Sequence, residues 1–340
     1  MKIDAGLLAT DMGQVVARVR ELEEAGFDGC FTFEGPHEPF MRLLLAAEHS
    51  NLEIGTGLAI AFARTPMTVA NLAHDLQHFS GGRFWLGLGS QIKPHIEARY
   101  GMPWSKPVTR MKEFVRALRA IWACWNENEK LDFRGEFYTH TLMPPIFNPG
   151  PSKGGPPPIY LGGVGPKMTE AAGEVADGML LHPFHTERSL DEVMMPSLQR
   201  GLETSGRTLA DFALCAQVIV VTGRNEAEHQ SALAMARNQI AFYASTPAYR
   251  SVLETEGRPE LQPELRQMTK EGRWHEMADK IDDDLLGKIA TVGTPGKVAE
   301  VLRRRYGTLA SRLGFASPFP IAPECAADII GALRADSSEA

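Results

Sequence analysis

The stretch Ser80–His95, SGGRFWLGLGSQIKPH, decides how the chain is read. It holds a tight turn (Ser80, Gly81, Gly82), an apolar run from Phe84 to Leu88, and then Gly89 and Ser90, after which polar and charged side chains appear. A run that is continuously hydrophobic, without alternation, is the pattern of a parallel strand covered on both faces. Its C-terminal end therefore delivers Gln91, Lys93 and His95 into a site, and the glycines are expected to leave room for a ligand to approach the backbone.

Working outward, strand-like and helix-like segments alternate with short connections. Strands are expected at Ile3–Ala9, Asp28–Phe33, Leu52–Ala61, Phe84–Leu88, Ile159–Leu161, Gly178–His182, Phe212–Thr222 and Ser311–Ala316. Helical spacing follows each of them. Val15, Val16, Val19 and Leu22 share a face before Gly26. Pro66 opens a helix with Thr65 as N-cap, and Thr294 with Pro295 repeats that pattern near the end. The stripe Met111, Phe114, Val115, Leu118, Ile121, Trp122 and Trp125 is read as core. Leu131–Tyr138 reads as a small hairpin, the Pro/Gly-rich run Pro144–Pro158 as a loop, and Ala244–Asp284 as a polar helical insertion.

Eight such units predict an α/β fold of the (β/α)8 (TIM) barrel type, one domain over residues 1–340 with inserted segments near 127–158 and 244–285. A doubly wound sheet is the competitor. It calls for G-x-G-x-x-G in the first βα turn, where this chain has Thr10, Asp11, Met12 and Gly13.

Composition narrows the function classes. The chain has 340 residues, 44% hydrophobic and 23% charged, which suits a globular protein with disorder expected only in the last few residues. A net charge of −7 argues against nucleic acid as the main partner. Cys30, Cys124, Cys215 and Cys325 lie far apart without metal-ligand spacing, so neither a metal site nor a disulfide framework is expected. With no signal-like N-terminus and no apolar run approaching about 18 residues, a cytoplasmic protein without a membrane partner is expected.

In a barrel, chemistry sits where the strands end. The polar residues there are Glu34, His37 and Glu38 after the second strand, Arg64 after the third, Gln91, Lys93 and His95 after the fourth, and His182 and His185 after the sixth. Each has a plain alternative: a loop histidine is often solvated or capping, Glu34 can cap a helix, and Lys93 can be a surface charge. The turn Gly162-Gly163-Val164-Gly165 precedes a helix, so its N–H groups can cradle an anion, with Lys167 adding charge. Together with Gly89 and Ser90 it points to a phosphorylated cofactor. Gly55 and Gly57 are unusual inside a core strand and suggest that something large packs against the backbone.

At these residues the sequence resembles the bacterial luciferase-like superfamily of flavin and deazaflavin enzymes. The resemblance rests on GFDG leading to Glu34, IGTGLAIAFARTP, SGGRF followed by LGLGS, YLGGVGPKMTEAAGEVADGML and VGTPGKVAEVL, and so covers most of the chain. Within it, AFARTPMTVA, LGLGSQIKPHI and GEVADGMLLHPF resemble a subgroup assigned to coenzyme F420. The resemblance implies a non-prolyl cis peptide at Gly57-Leu58 backing the tricyclic ring. It also implies ribityl and phosphate contacts from Gly162, Gly163, Val164, Gly165, Ser90 and Gln91, with Arg64, Lys93 and Lys167 meeting the acidic tail of the deazaflavin. Two departures stand out: Gly35 follows Glu34 where many relatives have His, and Ile92 stands where sugar-phosphate dehydrogenases of the family carry a catalytic Glu.

The leading expectation is an F420-dependent oxidoreductase that passes a hydride between deazaflavin and a small-molecule substrate, with His37, Glu38, His95 and His182 as candidates for the one proton involved. The alternatives are an FMN-dependent monooxygenase fed by a separate flavin reductase, and a flavin-binding protein without turnover. Relatives imply a homodimer or homotetramer.

Overall fold

The computed structural model describes residues 1–9 and 11–335. Thr10, one of the residues read from the sequence as the first βα turn, and residues 336–340, where disorder is expected from composition, lie outside the described residues. Eight strands run in chain order: β1 (Lys2–Gly6), β2 (Gly29–Thr32), β3 (Glu53–Thr56), β4 (Phe84–Gly89), β5 (Ile159–Gly163), β6 (Gly178–Leu181), β7 (Ala213–Val221) and β8 (Arg312–Phe315). All neighbouring pairs are parallel, and β8 returns to β1 with Leu313 opposite Ile3. The sheet therefore closes on itself, which excludes the open doubly wound alternative and gives a (β/α)8 barrel.

Around it lie α1 (Val15–Glu24), α2 (Phe40–His49), α3 (Pro66–Phe79), α4 (Pro107–Asn126), α5 (Pro166–Val175), α6 (Met195–Thr204), α7 (Glu226–Ala244), α8 (Pro295–Tyr306) and α9 (Pro323–Ala335). The Thr65 hydroxyl caps α3 by accepting from the Thr68 amide, whereas Thr294 has extended backbone before α8 but its side chain makes no capping bond. Among the described residues no helix is long and apolar enough to cross a membrane.

Alternation along β4 shows how the barrel is filled. Phe84, Leu86 and Leu88 point outward into the helix-facing core, while Trp85 points inward to a plug with Phe31, Tyr160, Leu180 and Cys215. A β-carbon on Gly55 would collide with the Trp85 indole, so that glycine makes room for the plug. Beneath it, at the N-terminal end, Arg312 is paired with Asp4 at 2.6 Å and with Glu53 at 2.5 Å.

Three features depart from the sequence reading, while the insertion expected over Ala244–Asp284 is helical and carries an apolar core. The third strand is interrupted: β3 stops at Thr56, and pairing with β4 resumes only at Ala59–Ile60. The hairpin pairs Phe133–Arg134 with Thr139–His140, two residues beyond the expected end. The chain after α7 forms short helices at Arg250–Thr255, Leu261–Lys270 and Asp283–Ile289, which share an apolar core with Phe184, Ile219 and Val221. A three-residue strand, Ala290–Val292, lies beside the end of β7; it was too short to show any periodicity.

Candidate functional site at the barrel mouth

The break in the third strand organises the mouth. The Gly57–Leu58 peptide is cis. Both its sides are tied to the end of β2: the Gly57 amide donates to Thr32 O at 2.6 Å, and Leu58 O accepts from the Glu34 amide at 3.0 Å. The Leu58 side chain lies over β4 and β5. A β-carbon at Gly89 would come within 2.6 Å of it, and one at Gly162 would also collide with it. Here the structure corrects the sequence reading: the space left by Gly89 and Gly162 is taken by Leu58, which forms an apolar floor, and not directly by a ligand.

Glu34 locks this arrangement. Its carboxylate accepts from the Ile60 amide at 2.8 Å, from Arg64 at 2.6 Å and from the Tyr100 hydroxyl at 3.0 Å. Burial first, and then the Glu34 charge, raise the Tyr100 phenol above its ordinary value. Arg64 also donates to Ile60 O at 3.2 Å and lies 5.6 Å from the Phe40 ring centroid. Tyr100 was not singled out in the sequence, because nothing local marks a tyrosine that follows a helical turn.

The other predicted residues divide by position. Both oxygens of Glu38 cap α2, accepting from the Phe40 and Met41 amides at 2.9 and 2.6 Å. His37 is exposed beside it, on a cleft of about 310 Å³ lined by Asp11, Met12, His37, Glu38, Met41 and Arg42. Gln91 has a left-handed backbone, with φ of 59°, and its side chain accepts from the Ile92 amide at 3.0 Å. The Ser90 hydroxyl donates to Gln91 O at 3.1 Å. Lys93 and His95 are exposed; Lys93 faces Glu97 at 3.8 Å, and His95 starts the helical turn His95–Arg99, in which Ile96 is the buried residue.

On β5 the glycine turn leads into α5. Gly163 packs on Met168, whereas Gly165, the residue before the first turn, faces open space. Among the described residues Lys167 makes no ion pair, so the helix N-terminus and one free cation meet at this rim.

His182 and His185 differ sharply. His185 is buried, with Nδ1 2.7 Å from His182 O and Nε2 2.9 Å from the Tyr306 hydroxyl, so both its nitrogens hold the loop together. His182 stands at the end of β6 between the rings of Tyr243 and Tyr249, at centroid distances of 4.6 and 4.5 Å. Burial, with a smaller contribution from His185, pushes its imidazole down to about 3. Tyr243 and Tyr249 come from the segment read only as helix and polar insertion, so their approach to β6 was not legible. Gln217 was also missed. It is a lone amide in the apolar run ALCAQVIVV, buried inside the barrel and directed at Gly57. A polar residue on the inward register of a barrel strand is the signal that would have found it. Among the described residues no group of His, Cys, Asp and Glu is arranged to hold a metal ion.

A family model described as luciferase-like monooxygenase matches residues 2–312. The chain belongs to the luciferase-like monooxygenase family. An uncharacterized protein of Mycobacterium tuberculosis is 49% identical over 92% of both chains. Another M. tuberculosis protein, which carries the name of a coenzyme F420-dependent oxidoreductase, is 29% identical over 81% of this chain and 82% of its own. Among solved structures, the coenzyme F420-dependent tetrahydromethanopterin reductase of Methanopyrus kandleri superimposes with a TM-score of 0.77 at 20% identity, covering 97% of each chain, and shares the fold. Sequence relatives that align along most of this chain include proteins named as a reductase and as an oxidoreductase, so the barrel mouth is the candidate active site of an enzyme.

Proposed function

We propose that this protein is a coenzyme F420-dependent oxidoreductase that passes a hydride between a bound 5-deazaflavin and a small organic substrate. The observation that carries the reading is the mouth itself: an apolar floor at the Gly57–Leu58 cis peptide, continuous with a turn at Gly165 that opens at the N-terminus of α5. A flat tricyclic ring fits the floor, and a phosphate fits the helix end. The relative named as F420-dependent, which aligns along most of the chain, supports the deazaflavin over FMN.

On this reading Gly162, Gly163, Val164, Gly165, Ser90 and Gln91 hold the ribityl and phosphate portion. Lys167 and Lys93 meet the acidic tail, and Glu34, with Arg64, keeps the floor in place. When bound, the deazaflavin supplies a carbon centre that exchanges a hydride and reacts poorly with oxygen. The chain's own work is to align the substrate, exclude water and handle one proton. Glu38 is committed to capping, which leaves His37, His95 and His182 as the imidazoles at the rim.

The test is a fluorescence titration with oxidised F420 and, separately, FMN at fixed salt. Tighter binding of F420 by tenfold or more supports the assignment. Tighter binding of FMN favours a monooxygenase supplied by a reductase, in keeping with the family's description. Binding of neither sinks the cofactor site. If His37, His95 and His182 are replaced singly without loss of turnover, the proton assignment is wrong.

A further inference from the structure

His182 offers more than an imidazole at the rim. Along β6, Met179 and Leu181 face the helices while Leu180 joins the barrel plug, so the alternation turns His182 inward, one step above the plug. Leu181 pairs with Gly163 on one side and Ala216 on the other. Continued one residue past these last paired positions, the register sets His182 level with Val164 of the glycine turn and with Gln217, which reaches Gly57.

The ring is fixed in one tautomer. The Phe184 amide donates to its Nδ1 at 3.1 Å. A ring nitrogen that accepts carries no proton, so the neutral imidazole bears its hydrogen on Nε2. Among the described residues Nε2 has no hydrogen-bond partner, and it is not sealed from solvent. Tyr243 and Tyr249 wall the ring on two sides. His185 cannot take over this role, because both its nitrogens are engaged.

We propose that His182 is a neutral hydrogen-bond donor that holds the oxygen of a carbonyl compound at the barrel mouth, so that the substrate is a ketone, an aldehyde or an enone. This rests on the deazaflavin reading above. A neutral N–H between aromatic walls suits a neutral acceptor that gains negative charge during reaction. It suits a carboxylate less well, since among the described residues no ion pair or cation–ring contact involves His182, Tyr243 or Tyr249, and Lys167 and Lys93 are assigned above to the acidic tail of the cofactor. With a reduced deazaflavin as the hydride donor, the carbonyl carbon, or the β-carbon of an enone, would accept the hydride and the π pair would move to oxygen. His182 Nε2–H would stabilise the alkoxide or enolate, His37 or His95 would hand it the proton and be reprotonated from water, and the hydride donor would release its own ring proton to solvent as it becomes oxidised. His182 keeps its own proton throughout, as a neutral imidazole acting as electrophile does. The proton candidates then narrow to His37 and His95.

The experiment uses full-length protein with ring-¹⁵N histidine, wild type, His182→Gln and His182→Phe, with and without oxidised F420. The probes are 2-cyclohexen-1-one and cyclohexanone. In wild type, the His182 ring is expected as the Nε2–H tautomer between pH 6 and 9, with its Nε2 resonance shifting as probe is added. Probe binding is expected to weaken about tenfold in His182→Phe and to recover largely in His182→Gln, whose amide also donates. F420 affinity is expected to stay within twofold in both variants. An Nδ1–H tautomer, equal probe affinity in His182→Phe, or no response of wild type to either probe overturns the proposal. Failure of F420 to bind while the probe still moves Nε2 overturns the cofactor reading alone.

Discussion

Glu34 and Arg64 form a 2.6 Å ion pair, and the Glu34 carboxylate that holds Arg64 also holds the Ile60 amide beyond the cis peptide. The glutamate side chain is only 5% exposed, so its partners are not replaceable by water. Removing one member of such a pair leaves the other charge buried and costs about 3 kcal/mol. Glu34→Gln is expected to lose that much in urea denaturation and to bind F420 more weakly. Adding Arg64→Met to it removes the stranded cation and is expected to restore part of the stability but not the affinity. Full restoration of both would mean that Glu34 does not position the floor.

Leu58 supplies the second prediction. Its side chain fills the space above Gly89 and Gly162, and a terminal methyl can swing aside where a backbone atom cannot. Gly89→Ala is therefore expected to fold with a loss of about 1–3 kcal/mol and with F420 affinity reduced roughly tenfold. Leu58→Ala in the same chain recovers stability by making room. Gly87→Ala is different, because its β-carbon would press on the Thr56 carbonyl between β3 and β4. Thermal melting of the three variants checks the order, and a Gly87→Ala protein as stable as Gly89→Ala contradicts the packing described here.

The barrel was legible because its strands are short apolar runs with helix signals between them, and that pattern survives any particular packing. The Gly57–Leu58 site and the Gly162–Gly165 turn were legible through the family resemblance, carried by LGLGS and YLGGVG. What escaped depended on distance along the chain. Tyr100 meets Glu34 across 66 residues, and Tyr249 meets His182 only because the insertion folds over β6. The capping role of Glu38 was present locally, two and three residues before the amides it accepts, yet on sequence alone it competed with an acid–base role.

Glu113 anchors the hairpin outside the barrel. Its carboxylate, on α4, accepts from the amides of Glu136, Phe137 and Tyr138 at 2.9, 2.7 and 2.7 Å, and Arg110 one turn earlier donates to the Tyr138 hydroxyl at 2.8 Å. Three charge-assisted bonds converge on one side chain. Glu113→Ala is expected to raise hydrogen exchange at residues 133–140 by roughly tenfold or more while leaving the barrel strands protected. Uniformly faster exchange across the chain would mean that the hairpin is part of the global fold and not a locally held flap.

His182 also makes stability depend on pH, with a definite sign. Its folded-state pKa is pushed down to about 3 by burial, against about 6.5 in the unfolded chain. The unfolded chain therefore takes up a proton that the folded protein refuses. Stability from this residue is fully present above about pH 6.5 and falls by about 1.4 kcal/mol per unit as the pH drops towards the folded value. His74, His140 and His185 are shifted in the same direction, also by burial, and add to the slope. His182→Phe removes one proton from this linkage, so between pH 6 and 4 its urea-unfolding free energy is expected to fall less steeply than that of wild type by about one proton's worth. The comparison is internal, since the other three histidines remain in both proteins. Parallel curves over that range would show that His182 titrates near its ordinary value in the folded protein, and would return it to the set of proton donors.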